Sequence, residues 1–487
     1  EPSEQRRIAT LEKSLQVILD GVYEKMLKYT HEVKAPLTNL YMLGIVLPTL
    51  SLGILPLAST MLQGAIKWYH LVVVFDLLIP FFVMFMTAKV MMQRPGGYGE
   101  SEYLEKNPLY PQYKSKFPYF IAALLMLPIL LIGLTPVFWT YTNLPQWLDM
   151  KKDYTWAEVG LGSLGNSGIF GITTDVAGNV VAGPFGILSL LLSLFVPLSI
   201  AFFFIIAYDM KTAELIRTKQ KYKEVEEEFT SSLFQLGNRL GDGTPAEIAF
   251  SKVAESSKGT EVEGFFRIVN ENLMQLGMSL KEAIFNPKRG AIVFYPSKLI
   301  EISMKILLES VKKGLRIAAV SLMSISEYLK NIKKINERLN DLLADIISDM
   351  KSNMVFLAPL LSGIIIGLTG MIATILSNLA ALFKQGSLGG EGMASVGNIS
   401  SLLGIFNVDQ MIPPYWLQLT ISVYLIEIVF ILTSTLVTIR AGKDDLQTTA
   451  ETGKNLKTAI LLYLVVAFIS IAALTLTGSL VLSGVLG

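Results

Sequence analysis

Two carboxylates, Asp76 and Glu427, stand near the middle of long apolar runs. A carboxylate in hydrocarbon costs several kcal/mol, so an acid at such a place faces protein or water and has work to do there. Three kinds of chemistry fit it. A protonated carboxyl can hydrogen-bond to a neighbouring helix and hold spans together. A charged one can receive a positive group, and a titrating one can pass protons. The two acids are related, because the chain repeats itself. Laid on each other without a gap, Lys28 meets Lys351, Ala35-Pro36-Leu37 meets Ala358-Pro359-Leu360, and Gly44 meets Gly367. In the next apolar run of each half, Asp76 falls on Glu427 and Lys89 on Arg440. An intramembrane acid at the matching place in both halves is the signature of two copies of one membrane unit.

The elements that position these acids follow from composition and hydropathy. The hydrophobic share is 52% and the charged share 17%, with a mean hydropathy of +0.50, values that belong to polytopic membrane proteins. Net charge is +1 and cysteine is absent, which leaves no bulk electrostatic case for nucleic acid and removes disulfides, thiol catalysis and thiolate metal sites. His31 and His70 are the only histidines, and neither neighbours a second ligand in sequence. No catalytic triad, metal cluster or GxxxxGK[ST] loop is visible, so neither an enzyme nor a bound cofactor is expected.

Stretches of about 20 apolar residues, enough to cross a bilayer, run near 38–62, 70–92, 118–140, 185–207, 355–382, 415–439 and 458–485. The expected fold is all-α: about seven transmembrane helices in two parallel repeats, plus a cytoplasmic antiparallel helical bundle. Residues 1–36 form the remnant of a first cytoplasmic helical domain, whose larger part would lie upstream of a chain that opens on Glu1 rather than Met. Residues 37–140 form the first three-helix membrane unit, 141–184 an extracellular loop and 185–207 a connecting span. Residues 208–354 form the bundle and 355–487 the second membrane unit. With 208–354 inside, the connections Arg94–Lys116 and Arg440–Lys457 also lie inside, each with four Lys or Arg. The loops then outside carry Asp149, Asp153, Glu158, Asp175, Glu391 and Asp409 against Lys151, Lys152 and Lys384. The positive-inside rule favours this orientation in a cell membrane, with the C-terminus outside.

Within the bundle, two helix starts are written alike. Gly243, Thr244 and Glu247 set a glycine stop, a Thr N-cap with Pro245 after it, and a Glu three residues on; Gly277, Ser279 and Glu282 repeat the arrangement. Pro36 and Pro359 mark the entry to the membrane, either as helix starts or as hinges. Gly363 and Gly367, with Gly44 as their echo, put small residues where another helix can come close.

Phe234–Phe250 (FQLGNRLGDGTPAEIAF) and Leu273–Ala283 (LMQLGMSLKEA) resemble the paired, glycine-terminated helices of the type II secretion F domain. This family serves inner-membrane platforms of type II secretion systems, type IV pili and archaella, and seven spans look more like its archaeal branch. The resemblance implies a non-enzymatic assembly platform beneath a pilus, archaellum or pseudopilus. It would bind a hexameric cytoplasmic ATPase and transmit its motion to pilin or archaellin subunits lifted from the lipid bilayer, and a homodimer would suit such a motor. On that reading the charge runs Lys219, Lys221, Lys223, Glu226, Glu227, Glu228, Lys312, Lys313, Lys333 and Lys334 are candidate ATPase contacts. The acid pair would receive the N-terminal ammonium of a processed pilin. The alternative is a proton-coupled secondary transporter using Asp76 and Glu427. Against it, Pro48 and Pro80 interrupt the first half where the second has Met371 and Ile431, so no broken pair stands at matching depth.

Overall fold

The computed structural model describes residues 2–62, 65–92, 110–156, 158–160, 168–174, 180–384 and 411–486. Arg94, Asp175, Glu391 and Asp409 of the charge ledger lie outside the described residues. What is described is helical, apart from a small antiparallel hairpin of β1 (Thr173–Thr174) and β2 (Val180–Ala182). Seven helices are long and apolar enough to cross a membrane, as the hydropathy predicts.

The first crossing joins α1 (Pro2–Tyr41) to α2 (Leu47–Met61) through a π-helical stretch, Met42–Val46. The second joins α3 (Trp68–Leu71) to α4 (Ile79–Met92) through another, Val72–Leu78. The third is α5 (Phe117–Tyr141), and the fourth is α6 (Ile187–Ser193) with the long α7 (Phe195–Gly241). After α8 (Ala246–Ser256), α9 (Glu263–Met274), α10 (Leu280–Phe285) and α11 (Lys298–Val311), the chain returns along α12 (Leu315–Ser352). A third π stretch, Asn353–Leu357, leads into α13 (Ala358–Lys384), followed by α14 (Pro414–Ala441) and α15 (Asp445–Leu486).

Each π stretch ends two residues before a proline: Pro48, Pro80 and Pro359. Proline lacks an N–H and its ring pushes on the carbonyl four residues back. Widening the preceding turn relieves that clash without breaking the helix. Neither Pro36 nor Pro359 begins a helix: Pro36 lies inside α1, and Pro359 continues the backbone of α12 into α13. The expected boundaries at 207/208 and 354/355 likewise fall inside continuous helices. Hydropathy reports a change of solvent, and a helix can cross that change unbroken.

The bundle has its own core. The far end of α7, the helices α8–α11 and the start of α12 close around Phe229, Phe250, Phe265 and Phe266, all fully buried. Phe229 meets Phe265 edge to face at 5.6 Å, a favoured aromatic geometry. At the second predicted start, Ser279 accepts from the Glu282 N–H at 3.3 Å and the Glu282 carboxylate accepts from the Ser279 N–H at 3.4 Å. The first start differs. Gly243 takes φ +80°, its N–H reaches Leu240 O, and the Thr244 N–H reaches Arg239 O at 3.1 Å. These are the two bonds of a Schellman stop, so Thr244 finishes α7 and Pro245 stands at the N-cap of α8 with no side-chain cap. Glu247 still places its charge in the first turn. Ser297 is a cap that the sequence pattern does not single out: it accepts from the Ile300 N–H at 3.2 Å at the head of α11.

In the membrane part, α2 packs on α13, where a Cβ on Gly53 would lie 3.4 Å from Ile365. The second crossing packs on α14. Gly363 and Gly367 seat α13 on α15: a Cβ at Gly367 would come within 2.8 Å of Ser470 backbone atoms. Gly44 also serves close packing but on a different partner, Val83 of α4. The third crossing, α5, has α7 as its main neighbour, with Gly133 against Val196.

Candidate functional site

Asp76 lies in the π stretch before α4 and Glu427 halfway along α14, and the packing of these two crossings brings the carboxylates within Coulombic reach of each other. Each acid has one buried oxygen, Asp76 Oδ1 and Glu427 Oε2, with no hydrogen-bond partner. Unpartnered buried acceptors are rare and costly.

Tyr424, one turn before Glu427 on the same helix, completes the cluster. Its ring meets Phe75 edge to face at 6.5 Å, and its hydroxyl donates to the Gly44 carbonyl. That acceptor lacks its α-helical partner for a covalent reason: the donor would be the N–H of residue 48, which is Pro48. Pro80 removes the equivalent donor for the Asp76 carbonyl. Charge alone does not single out Tyr424; its i, i−3 spacing from Glu427 is the sequence signal that does.

Beside the acids, a groove of about 520 Å³ runs between α4, α7 and α14. Pro80, Phe81 and Met84 form one wall, Phe204 another, and Glu427 and Phe430 the third. Phe81 and Met84 are 64% and 52% exposed, so the groove opens sideways from the protein at the depth of the acid.

The charge runs on the bundle helices divide. Lys219 pairs with Asp444, which is 7% exposed and also caps α15 by accepting from the Gln447 N–H at 3.0 Å. The long helix α7 is thereby tied to the turn between the last two crossings. Glu226 accepts from the Ser297 hydroxyl, Glu228 from the Val262 N–H at 3.1 Å, and Glu227 pairs with Lys333 at 3.0 Å. Lys312 pairs with Glu309 at 2.8 Å on the surface. Lys221, Lys223, Lys313 and Lys334 are exposed. Lys219, Glu226 and Glu228 therefore hold the fold together, and the exposed lysines are the ones presented to solvent.

On the side away from the bundle, Asp153 accepts the N–H groups of Phe170 and Ile172 at 3.0 Å each. Burial pushes its carboxyl above the usual carboxylate range against the pull of those bonds. This acid ties together two described parts of the 141–184 connection, the one around Asp153 and the one around Phe170 and Ile172. Among the described residues, no group of three or more His, Asp or Glu could hold a metal ion. No family model, curated protein or solved structure matches the chain.

Proposed function

We propose that the protein is a membrane assembly platform for a type IV pilus-like filament, an archaellum, pilus or secretion pseudopilus. It sits in the cell membrane as two parallel repeats, with the 208–354 bundle in the cytoplasm and the C-terminus outside. It couples a hexameric cytoplasmic ATPase to the lifting of pilin subunits and has no active site of its own. The observation that carries the reading is mechanical. The bundle is joined to the membrane part by helices that cross the boundary without a break, α7 over Phe195–Gly241 and α12 through Asn353–Leu357 into α13. A continuous helix passes displacement and torque, whereas a flexible linker would absorb them. The Lys219–Asp444 tie adds a lateral connection from α7 to the last two crossings. The resemblance of Phe234–Phe250 and Leu273–Ala283 to type II secretion F domains points the same way.

The test is binding of the detergent-solubilised protein to the secretion-type ATPase of its own organism, with ATP turnover read in parallel. Binding is expected, with turnover altered, and weakened when Lys221, Lys223 and Lys334 are reversed to Glu. Absence of binding, together with proton uptake into liposomes that vanishes in Asp76→Asn, would assign the protein to proton-coupled transport. The buried acid pair is the observation that keeps that second reading in view.

A further inference from the structure

The groove beside Glu427 combines an apolar lining with a carboxylate. Its walls, Pro80, Phe81, Met84, Phe204 and Phe430, are hydrocarbon throughout. Glu427 is the fourteenth of the 28 residues of α14. At 1.5 Å per residue it lies roughly 20 Å from either end of the helix, in the middle of the bilayer. The mouth therefore opens into lipid, where no water is at hand to satisfy a buried carboxylate oxygen.

We propose that this groove docks a single transmembrane helix of a partner protein, one carrying an amine or other basic group about halfway across the membrane. The choice of occupant follows from charge. A lipid tail could fill the space, but it has no donor for the carboxylate of Glu427 that lines the groove. An ammonium on an apolar helix meets both demands, covering the aromatic walls and pairing with the carboxylate of Glu427 that lines them. Asp76, one turn before Pro80 and behind the groove wall, adds negative potential without lining the groove. The exposed ridge of Phe81, Met84 and Phe85 would lie along such a helix, giving it apolar contact on the side away from α14. The inference deepens the platform reading, in which the docked helix belongs to the subunit being assembled, but the geometry that supports it is independent of any ATPase.

The absence of cysteine makes the test direct. Met84→Cys is introduced on the groove wall, and the protein is reconstituted in phosphatidylcholine–phosphatidylglycerol vesicles. The probes are leucine–alanine peptides of about 22 residues, long enough to span, with a central Lys or a central Leu and a Cys one turn away. Oxidative cross-linking is expected to favour the Lys peptide about tenfold, which is the effect of about 1.4 kcal/mol. The preference is expected to disappear in Glu427→Gln and to persist in Glu427→Asp. Val465→Cys, on an exposed face of α15, is expected to show no preference. Equal cross-linking of the two peptides at Met84→Cys, a preference that survives Glu427→Gln, or no cross-linking with either peptide would overturn the proposal; the last would leave a lipid tail as occupant. Should Glu427→Gln fail to fold, the Lys-against-Leu comparison in the Met84→Cys protein decides alone. Since no ATPase is present, failure here would leave the platform reading standing, and failure of ATPase binding would leave the groove result intact.

Discussion

The first three crossings and the last three are built to different stiffness. In the last three, α13 and α15 close on each other through Gly363 and Gly367. Buried polar pairs join the helices: Asn455 to Thr433 at 3.1 Å, and Gln418 to Tyr463 at 3.3 Å. In the first three, two π stretches interrupt the helices ahead of Pro48 and Pro80, against one ahead of Pro359 in the last three, and α5 leans on α7 instead of on its own neighbours. Burial follows suit, with 72% of the most apolar window of α14 enclosed against 28% in the second crossing. The second half is a frame, and the first half is a looser set of helices laid against it. The matching acids meet at the seam between the two, where the loose half has carbonyls released by proline and the frame supplies Tyr424.

The sharpest way to break this comparison is to disturb the frame. Gly367→Ala would place a methyl 2.5 Å from the Ser470 side chain and 2.7 Å from its backbone. Backbone cannot step aside as a side-chain tip can, so α13 and α15 must separate. A loss of about 2–3 kcal/mol is expected, read as the shift in a steric-trap unfolding measurement in lipid. An unchanged midpoint would mean that the seam between α13 and α15 is not the rigid element described above.

Next in size is the tie between the frame and the long helix. Lys219→Ala takes the cationic partner from the buried Asp444 and leaves it the Gln447 N–H. A cost of about 1–2 kcal/mol is expected. Exchanging the two residues, Lys219→Asp with Asp444→Lys, is expected to recover the pairing but not the cap on α15, and so about half of the loss. Full recovery would show that the cap is idle.

The sequence carried much of this and missed the rest for identifiable reasons. The spans were legible because an apolar run of the right length has few other uses, and the acid pair because the repeat placed both residues in register. The cap at Ser279 was legible and real, whereas the same pattern at Thr244 was not, because Gly243 claimed Thr244 as the end of the preceding helix. Local motifs compete for shared residues, and the competition is settled by backbone geometry that the letters do not print. Lys219 read as one more surface charge because its partner lies 225 positions away. Pro48 and Pro80 were visible as interruptions, but a released carbonyl at Gly44 has meaning only once Tyr424 is seen to reach it.

That contact gives the third prediction. Tyr424→Phe removes one hydrogen bond across the seam and is expected to cost about 1 kcal/mol. Pro48→Ala restores the N–H that an α-helix would aim at the Gly44 carbonyl, so Tyr424 must share its acceptor. In the Pro48→Ala background, Tyr424→Phe is therefore expected to cost less than in the parent protein. The double-mutant cycle reads that coupling directly, and additive effects would show that proline does not create the acceptor.

The smallest effect is expected at Gly44, and it bears most on what the repeat means. Gly44 occupies the position of Gly367, and if the halves were equivalent Gly44→Ala would match the loss at the frame. Here the nearest atoms to the added methyl are side-chain ones, Cγ2 and Cγ1 of Val83 at 3.0 and 3.5 Å and Ile428 at 3.9 Å. Val83 is β-branched and cannot swing freely, but α4 is free to shift by a few tenths of an ångström on its lipid-exposed side. The loss is expected to stay within about 0.5–1 kcal/mol. A cost equal to that of Gly367→Ala would show that the first half is held as tightly as the second, and the π stretches would then be fixed distortions within one frame. A small cost, with cross-linking at Met84→Cys left intact, would place the adaptable part of the molecule on the side of the seam where the groove opens.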